Sequence, residues 1–478
     1  MVLFSFGIFG CKKILDIGAP VNTVNEENVY KTDVTAIAVL TGVYAEMGGG
    51  GSGTIFAGGI GMSLLSGLSA DELTLYSGVG DNRLIAYYKN ALVAASLLNN
   101  YGSEFWAGSG GSGLYYYIFI CNAAFEGLGK STTLTPAVKQ QLLGEAKFLR
   151  AFFYFYLVNY FGDVPLTVTT DPSVNAVISR TPKQQVYQQI IEDLKDAENL
   201  LSPVFLDGSL SSYLSTAERV RPTKWAATAL LARVYLYIGD FVRAESETTA
   251  VINQTSLFGL NILNNAFLKN SSEAIWQIQP VATGRNTEDA FTFILPSSGP
   301  NGNLNQVVLS TQLLNSFEAG DLRKTNWVDS VTPPPGITTY YFPYKYKATI
   351  TSGEATEYLM ILRLAEQYLI RAEARAEQNN ISGAQADLDV IRSRAGLAGT
   401  TANDKISLLA SVLHERQVEL FTEFGHRWFD LKRANTVEAV MGSVTPLKGG
   451  TWKTTDQLYP IPVSDIQMNP NLVQNLGY

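Results

Sequence analysis

Residues 221–253 read RPTKWAATALLARVYLYIGDFVRAESETTAVIN, and this stretch decides the fold class. Pro222 is predicted in the first turn of a helix, where its missing N–H costs no hydrogen bond. Alanines at helical spacing leave room for a second helix to approach closely. Gly239-Asp240 ends the first helix and Phe241 begins the next. The segment therefore predicts two helices packed as an antiparallel pair.

Similar helix pairs are predicted on both sides of this one. One runs over residues 358–396, with Asn379-Asn380 between its helices and Gly396 as its stop. Another joins helix 140–160 to helix 182–201 across a long insert. Repeated helix pairs are typical of tetratricopeptide scaffolds, in which each pair buries its apolar face against the next. Further helices are predicted near residues 33–46, 83–100 and 114–128.

Irregular segments interrupt these helices. Residues 254–357 are rich in proline and contain short strand-like runs such as 273–278. Inserts of this length are usually functional or disordered, and the aromatic content of this one favours order. The predicted fold class is therefore mainly α. Tetratricopeptide-like helix pairs form the scaffold, and long loop-rich inserts carry short strands.

The composition argues against several classes of function. The chain has 478 residues and a net charge of −8, so it lacks the basic surface that nucleic-acid binding requires. With two cysteines and two histidines it cannot assemble a zinc site of Cys/His spacing, and we predict neither a metal nor a cofactor. The sequence contains no run of about 18 apolar residues, so no membrane-spanning helix is predicted.

The N-terminus predicts a lipid anchor. Residues 2–10 form a short apolar segment, and Cys11 follows directly. This order resembles the end of a lipoprotein signal peptide, whose cysteine is acylated after cleavage. We interpret residues 1–11 as a signal-peptide remnant with its lipidation cysteine, followed by a polar tether from Lys12. The alternative is a buried apolar strand with an inert cysteine.

The most charge-dense stretch runs from Glu415 to Arg433. Its glutamates recur every four residues, so they share one helical face, and several arginines lie nearby. A pair of carboxylates could serve glycoside hydrolysis at the right separation. An acid catalyst needs a raised pKa, however, and neighbouring arginines lower it. We therefore predict a salt-bridged scaffold around Trp428-Phe429 and no catalytic residue.

Motifs spread along the chain are similar to those of a known family. The segments 366–374 (EQYLIRAEA), 415–433 (ERQVELFTEFGHRWFDLKR) and 458–478 (LYPIPVSDIQMNPNLVQNLGY) resemble SusD/RagB motifs, as does CKKILD at 11–16. They occur in the order of that family. The resemblance implies a single SusD-like domain over residues 12–478. It also implies a lipid-anchored, surface-exposed location on the outer membrane, with a SusC-like TonB-dependent barrel transporter as partner.

Candidate ligand contacts are aromatic rings in loops, because a flat ring stacks on the apolar face of a sugar while rim groups bind its hydroxyls. Trp106 is the first candidate. Its loop, 101–108, is too rich in glycine to bury much, and the family resemblance implies a stacking ring there. The other candidates are Asp81, Arg83, Arg285, Trp327, Tyr340 and Tyr341. Each could instead be packed on the scaffold. The tryptophans in periodic segments are predicted to be core, namely Trp225, Trp276 and Trp428.

The leading function is non-enzymatic binding of a glycan or oligosaccharide at the cell surface, followed by delivery to the transporter. Binding of a peptide by a lipoprotein of the same type is one alternative. Glycan hydrolysis is a second, and a helical-repeat scaffold for protein partners is a third. The aromatic loops favour glycan binding over the scaffold.

Overall fold

Helices dominate the computed structural model, which describes residues 26–49, 54–95, 100–106 and 113–478. Cys11 and the rest of the predicted signal-peptide remnant lie outside the described residues. In chain order the helices are α1 Glu26–Val29, α2 Asp33–Gly48, α3 Met62–Ser69, α4 Asn82–Tyr88, α5 Leu114–Lys130, α6 Pro136–Phe161, α7 Pro172–Asn175, α8 Lys183–Leu200, α9 Lys224–Ile238, α10 Phe241–Ile252, α11 Glu288–Phe293, α12 Thr311–Ser316, α13 Leu322–Trp327, α14 Leu364–Glu377, α15 Ile381–Arg394, α16 Lys405–Glu419, α17 His426–Arg433, α18 Val437–Leu447 and α19 Val463–Met468. The mainly α fold class is confirmed.

The strands are short and pair only in twos within the described residues. They are β1 Leu73–Leu75, β2 Val93–Ala94, β3 Asn100–Tyr101, β4 Ala274–Ile278, β5 Val307–Leu309, β6 Val328–Val331, β7 Tyr340–Pro343 and β8 Leu359–Arg363. The antiparallel pairs are β1–β5, β2–β3, β4–β8 and β6–β7. The proline-rich insert thus supplies four of these strands, β4 to β7, as the sequence predicted.

The pair α9–α10 forms the predicted helix hairpin. Gly239 adopts the left-handed conformation (φ 77°, ψ 17°) that a glycine enters without a Cβ penalty. The Asp240 side chain then caps α10 by accepting a hydrogen bond from the Arg243 backbone N–H at 3.2 Å. α9 begins at Lys224 with Thr223 as its N-cap, so Pro222 stands just before the helix instead of within its first turn.

The pair α14–α15 is also confirmed, and its ends follow the predicted capping chemistry. Asn379 takes a positive φ of 60°, and the Asn380 side chain caps α15 by accepting from the Gly383 N–H at 3.1 Å. Gly396 has φ +75° and the Leu397 N–H donates to the Arg392 carbonyl at 2.9 Å. That bond closes the turn after the helix and satisfies a carbonyl that would otherwise lack a partner.

The third predicted pair is α6–α8, and its helices pack directly against each other although residues 162–182 separate them. α5 also packs against α6. One early prediction is wrong, because the helix expected over 83–100 is only α4 and ends at Tyr88. Asn90 takes a positive φ of 50°, and the chain turns there into the β2–β3 ribbon.

The core joins the insert to the scaffold through β4. Trp276 is fully buried, and its ring packs against Tyr44, Phe148 and Phe152 at centroid distances of 6.4, 4.9 and 5.3 Å. Trp428 is buried as predicted. Trp225 is only half-buried, which corrects its core prediction, because it lies in the first turn of α9 and its indole N–H donates to the Pro203 carbonyl.

None of the described helices combines the length and the apolar character needed to cross a membrane.

Candidate functional site

Two tyrosines from distant parts of the sequence form a ring pair at the surface. Tyr340 begins β7, and Tyr76 follows β1, where its backbone N–H donates to the Gln306 carbonyl at 2.8 Å. Their ring centroids lie 6.3 Å apart with planes at 82°. Both side chains are half-buried. We call Tyr76 and Tyr340 the aromatic platform.

Three loops surround this platform, formed by residues 76–80, 299–304 and 332–340. A Cβ at Gly299 would lie 2.6 Å from Pro333 Cγ and 3.6 Å from Tyr340 Cδ2. A Cβ at Gly302 would lie 2.7 Å from the Gly78 carbonyl oxygen. The loops thus approach each other most closely at glycines, where no side chain keeps their backbones apart. Most of their residues are exposed, so the rings are accessible from solvent between them.

Asp81 and Arg83 lie at the end of the first of these loops. The Asp81 carboxylate caps α4 by accepting from the Arg83 N–H at 2.8 Å, and it pairs with the Arg83 guanidinium at 3.1 Å. The two side chains are 33% and 31% exposed. Arg83 Nε is buried and bonds no described group. The pair therefore offers polar atoms next to the loop that carries Tyr76.

Tyr341 and Arg285 are placed elsewhere. Tyr341 is 41% exposed, and as the neighbour of Tyr340 in β7 it points to the opposite face of the hairpin. Arg285 pairs with Glu288 at 3.3 Å and lies 4.1 Å over the Phe291 ring, beside the loop that holds Ile350. Of the predicted contacts in the insert, Tyr340 alone is brought against Tyr76.

Trp327 corrects the prediction made for it. Its side chain is fully buried, and its indole N–H donates to the Leu263 carbonyl at 2.9 Å. The cations of Lys345, Arg363 and Arg394 lie 5.0 to 5.9 Å from its ring. A ring enclosed in this way is a packing residue and cannot stack on a ligand that arrives from solvent.

Trp106 is buried, contrary to the expectation drawn from its glycine-rich loop. It is 2% exposed, and its indole N–H donates to Asp465 Oδ2 at 2.7 Å. Tyr115 and Phe161 pack on the ring at 4.8 and 5.1 Å. The helix α19 covers this loop, which no local pattern reveals. Trp106 does line a cleft of about 320 Å³ together with Asp465 and Asn469, so contact with a ligand there stays a prediction.

The charge-dense stretch forms the predicted salt-bridged scaffold, but its glutamates pair with arginines from other segments and not with the neighbouring arginines of the stretch. Glu419 meets the buried Arg323 and Arg363 and the half-buried Arg394, and Arg363 also pairs with Glu423 at 2.7 Å. Burial opposes the charge of Glu419, yet the three guanidiniums hold its pKa below the usual glutamate value. The pKa of Glu423 is lowered in the same way. Such carboxylates stay ionised, so they do not suit a general acid.

Several carboxyl groups have a raised pKa, among them Glu72 and Asp289, which lie outside this cluster. Burial, reinforced by the Asp71 charge, raises the pKa of Glu72 to about 8, and burial raises that of Asp289 to about 7. They are 1% and 2% exposed. Asp289 accepts a hydrogen bond from the Gly58 N–H and Glu72 from the Thr422 N–H. A sugar in solvent has no access to either group, so the raised pKa values reflect buried structural carboxyls.

Comparison with known proteins agrees with the architecture. A family model described as "SusD family" matches residues 332–478, and one described as "Starch-binding associating with outer membrane" matches residues 94–236. SusD-like protein P2 of Formosa agariphila is 28% identical over 69% of this chain and 72% of its own length. SusD-like protein P25 of the same organism is 22% identical over 100% of this chain and 98% of its own.

Solved structures share the fold. A SusD superfamily protein from Bacteroides vulgatus superposes with a TM-score of 0.77 at 19% identity, covering 94% of this chain and 100% of that one. A laminarin-binding SusD-like protein gives a TM-score of 0.76 at 23% identity with the same coverage. The helix pairs, the C-terminal motifs and the matches along the sequence lead to one conclusion: the chain belongs to the SusD/RagB family.

Proposed function

We propose that this protein binds glycan at the cell surface without cleaving it and delivers it to a TonB-dependent barrel transporter, held at the outer membrane by a lipid on Cys11. The observation that carries the proposal is the aromatic platform. Tyr76 and Tyr340 present rings between exposed loops, and both tyrosines are held by short strands, Tyr76 directly after β1 and Tyr340 at the start of β7. Binding sites commonly combine loops of this kind with a fixed scaffold.

The chemistry of the platform suits a sugar. A pyranose ring presents C–H groups on one face, and a tyrosine ring offers a flat apolar surface of similar size. Asp81 and Arg83, which follow the Tyr76 loop, can accept from and donate to hydroxyl groups. The solved relatives described as a laminarin-binding SusD-like protein and as surface glycan-binding protein A from Bacteroides uniformis support this ligand class. Delivery to the transporter rests on family membership.

The experiment is titration calorimetry of the wild type and of Tyr340→Ala with laminarin and soluble starch oligosaccharides. Stacking on an aromatic ring is worth about 1–3 kcal/mol per nucleic-acid base, and we take that scale for a sugar ring. Loss of Tyr340 should then weaken binding about 5- to 150-fold. Tyr341→Ala is the matched control, because it removes the adjacent ring from the opposite face of β7 and should leave affinity nearly unchanged.

Three outcomes would contradict the proposal. If Tyr341→Ala loses affinity while Tyr340→Ala does not, the platform is in the wrong place. Steady release of shorter sugars from the bound glycan, measured by chromatography, would contradict binding without cleavage. A peptide library that binds where glycans do not would favour the peptide alternative.

A further inference from the structure

A second cleft, of about 610 Å³, opens on a different part of the molecule. Its walls come from the C-terminal end of α6, from the residues around Arg180 and Lys183, from α17, and from residues 454–458 near the C-terminus. No residue of the three platform loops lines it. Four of its lining residues are cations, namely Arg180, Lys183, Lys432 and Arg433, and one is a carboxylate, Asp163.

Three of these four cations form no ion pair with a carboxylate of the described residues. Arg433 is neutralised by Glu373 and Asp430. Arg180, in contrast, donates only to uncharged oxygens among the residues that the structure describes. These are the backbone carbonyls of Asp163, Phe161 and Val473 and the side-chain amide oxygen of Asn475. Setting Arg433 aside leaves three cations against one carboxylate in a chain whose net charge is −8. The cleft is therefore a positive site on an acidic protein.

Lys432 is held differently from the buried arginines Arg233 and Arg363. Arg233 and Arg363 are buried against carboxylates, with Glu366 at 2.6 Å from the first and Glu419 at 2.5 Å from the second. The Lys432 ammonium donates to the Asn159 carbonyl, and within the described ranges no carboxylate oxygen lies within 4.0 Å of it or of the Lys183 ammonium. A half-buried ammonium that meets a carbonyl but no carboxylate carries a desolvation cost, and an anion in the cleft would offset that cost.

Uncharged groups complete the lining. The Tyr237 hydroxyl is buried and bonds no group in the part of the chain that the structure describes, although it borders the cleft. Thr454, Thr455 and Gln457 add hydroxyl and amide groups along another wall. The cations of the cleft thus lie next to hydrogen-bond donors and acceptors that suit the hydroxyl groups of a ligand that also bears a negative charge.

We propose that this cleft binds a sugar that carries an oxyanion, either a carboxylate or a sulfate, with Lys183 and Lys432 as its charge partners and the Tyr237 hydroxyl as a further donor. The state of Lys432 supports this. Burial, together with the Lys183 charge, holds the pKa of Lys432 well below its usual value. An oxyanion between the two lysines would favour their charged forms.

The test is a calorimetric titration of the full chain at low salt with glucuronate, glucose 6-sulfate and glucose. The first two should bind and glucose should bind at least about tenfold more weakly, because hydrogen bonds to charged groups account for a tenfold factor or more. The ratio between glucuronate and the sulfate ester then tells which oxyanion the cleft prefers. Binding should also weaken as salt rises.

Lys183→Gln should weaken glucuronate binding about tenfold or more, since it removes one charge partner from an exposed position that the fold does not need. Lys195→Gln is the matched control, because it removes a lysine charge from the same helix about 18 Å further along α8. Tyr237→Phe keeps the ring, removes the hydroxyl and should also weaken binding.

Three results would overturn the proposal. If glucose and glucuronate bind equally well, the negative charge of the ligand plays no role in binding. If Lys183→Gln and Lys195→Gln change the affinity for glucuronate equally, the ligand does not bind in this cleft. If inorganic sulfate binds as tightly as glucuronate and glucose 6-sulfate, the sugar part of the ligand contributes nothing and the proposed ligand class is wrong. Each is separate from the glycan-binding proposal, which neutral oligosaccharides and Tyr340→Ala address.

Discussion

Replacing Trp106 with alanine removes the ring that joins the loop at residues 101–106 to α19. The indole is 2% exposed, two aromatic rings pack on it, and its N–H donates to Asp465 at 2.7 Å. Truncation of a buried aromatic side chain to alanine costs about 3–5 kcal/mol. Loss of the hydrogen bond adds about 1 kcal/mol, a small figure because Asp465 is partly exposed and water can solvate it. We therefore expect Trp106→Ala to lower the free energy of unfolding by about 4 kcal/mol or more.

Trp225→Ala is the variant with which the loss of stability in Trp106→Ala is compared. Trp225 is half-buried, so its truncation should cost about 1–2 kcal/mol, which is the common size of a single-residue effect. The glycine-rich loop and the helical spacing of Trp225 predict the opposite order. Trp106→Phe should lie between the two, because it keeps one ring and loses the N–H.

Urea unfolding followed by far-UV circular dichroism measures all three variants, with wild-type and variant slopes compared before the midpoints are converted to free energy. The chain holds six tryptophans, so dichroism is preferable to fluorescence. A cost below about 1 kcal/mol for Trp106→Ala, or a larger cost for Trp225→Ala, would refute the assignment of Trp106 to the packed interior.

Three further predictions address the buried charges and the anchor. Glu72→Gln should raise the free energy of unfolding by a few kcal/mol at pH 8 and by much less near pH 4. The native protein holds a proton that the unfolded chain releases between pH 4.5 and about 8, so wild-type stability falls as pH rises through that window. A pH series of urea unfolding that shows a constant difference would contradict this. Arg363→Met should cost about 3–5 kcal/mol in thermal or urea unfolding, because it leaves Glu419 and Glu273 buried with one partner fewer, and a cost near zero would show that the network carries no stability. Cys11→Ser, expressed behind a complete lipoprotein signal peptide, should move the protein from the outer-membrane fraction to the soluble fraction, and unchanged retention would argue against the lipid anchor.

Local sequence determined the scaffold of this protein. The spacing of small and apolar residues predicted the helix pairs, and Gly239, Asn380 and Gly396 marked their turns because each satisfies a backbone requirement within a few residues. The charge density of α16 and α17 likewise predicted a neutralised cluster, but the arginines that pair with Glu419 lie 25 to 96 positions away in sequence, so tertiary structure chose them. The helix pairs and their turns can be predicted because their partners lie close in sequence or their periodicity repeats along one element.

Tertiary structure alone decided which aromatic rings are exposed. Trp106 is covered by a helix whose Asp465 lies 359 positions away, and Tyr340 meets Tyr76 only because β5 and β7 fold back beside β1. Trp327 occurs in a loop-rich insert, yet it is enclosed by cations from three other segments. A glycine-rich loop reports the freedom of its own backbone and carries no information about the distant element that packs on it. The exposure of a loop side chain therefore depends on contacts that no local pattern encodes.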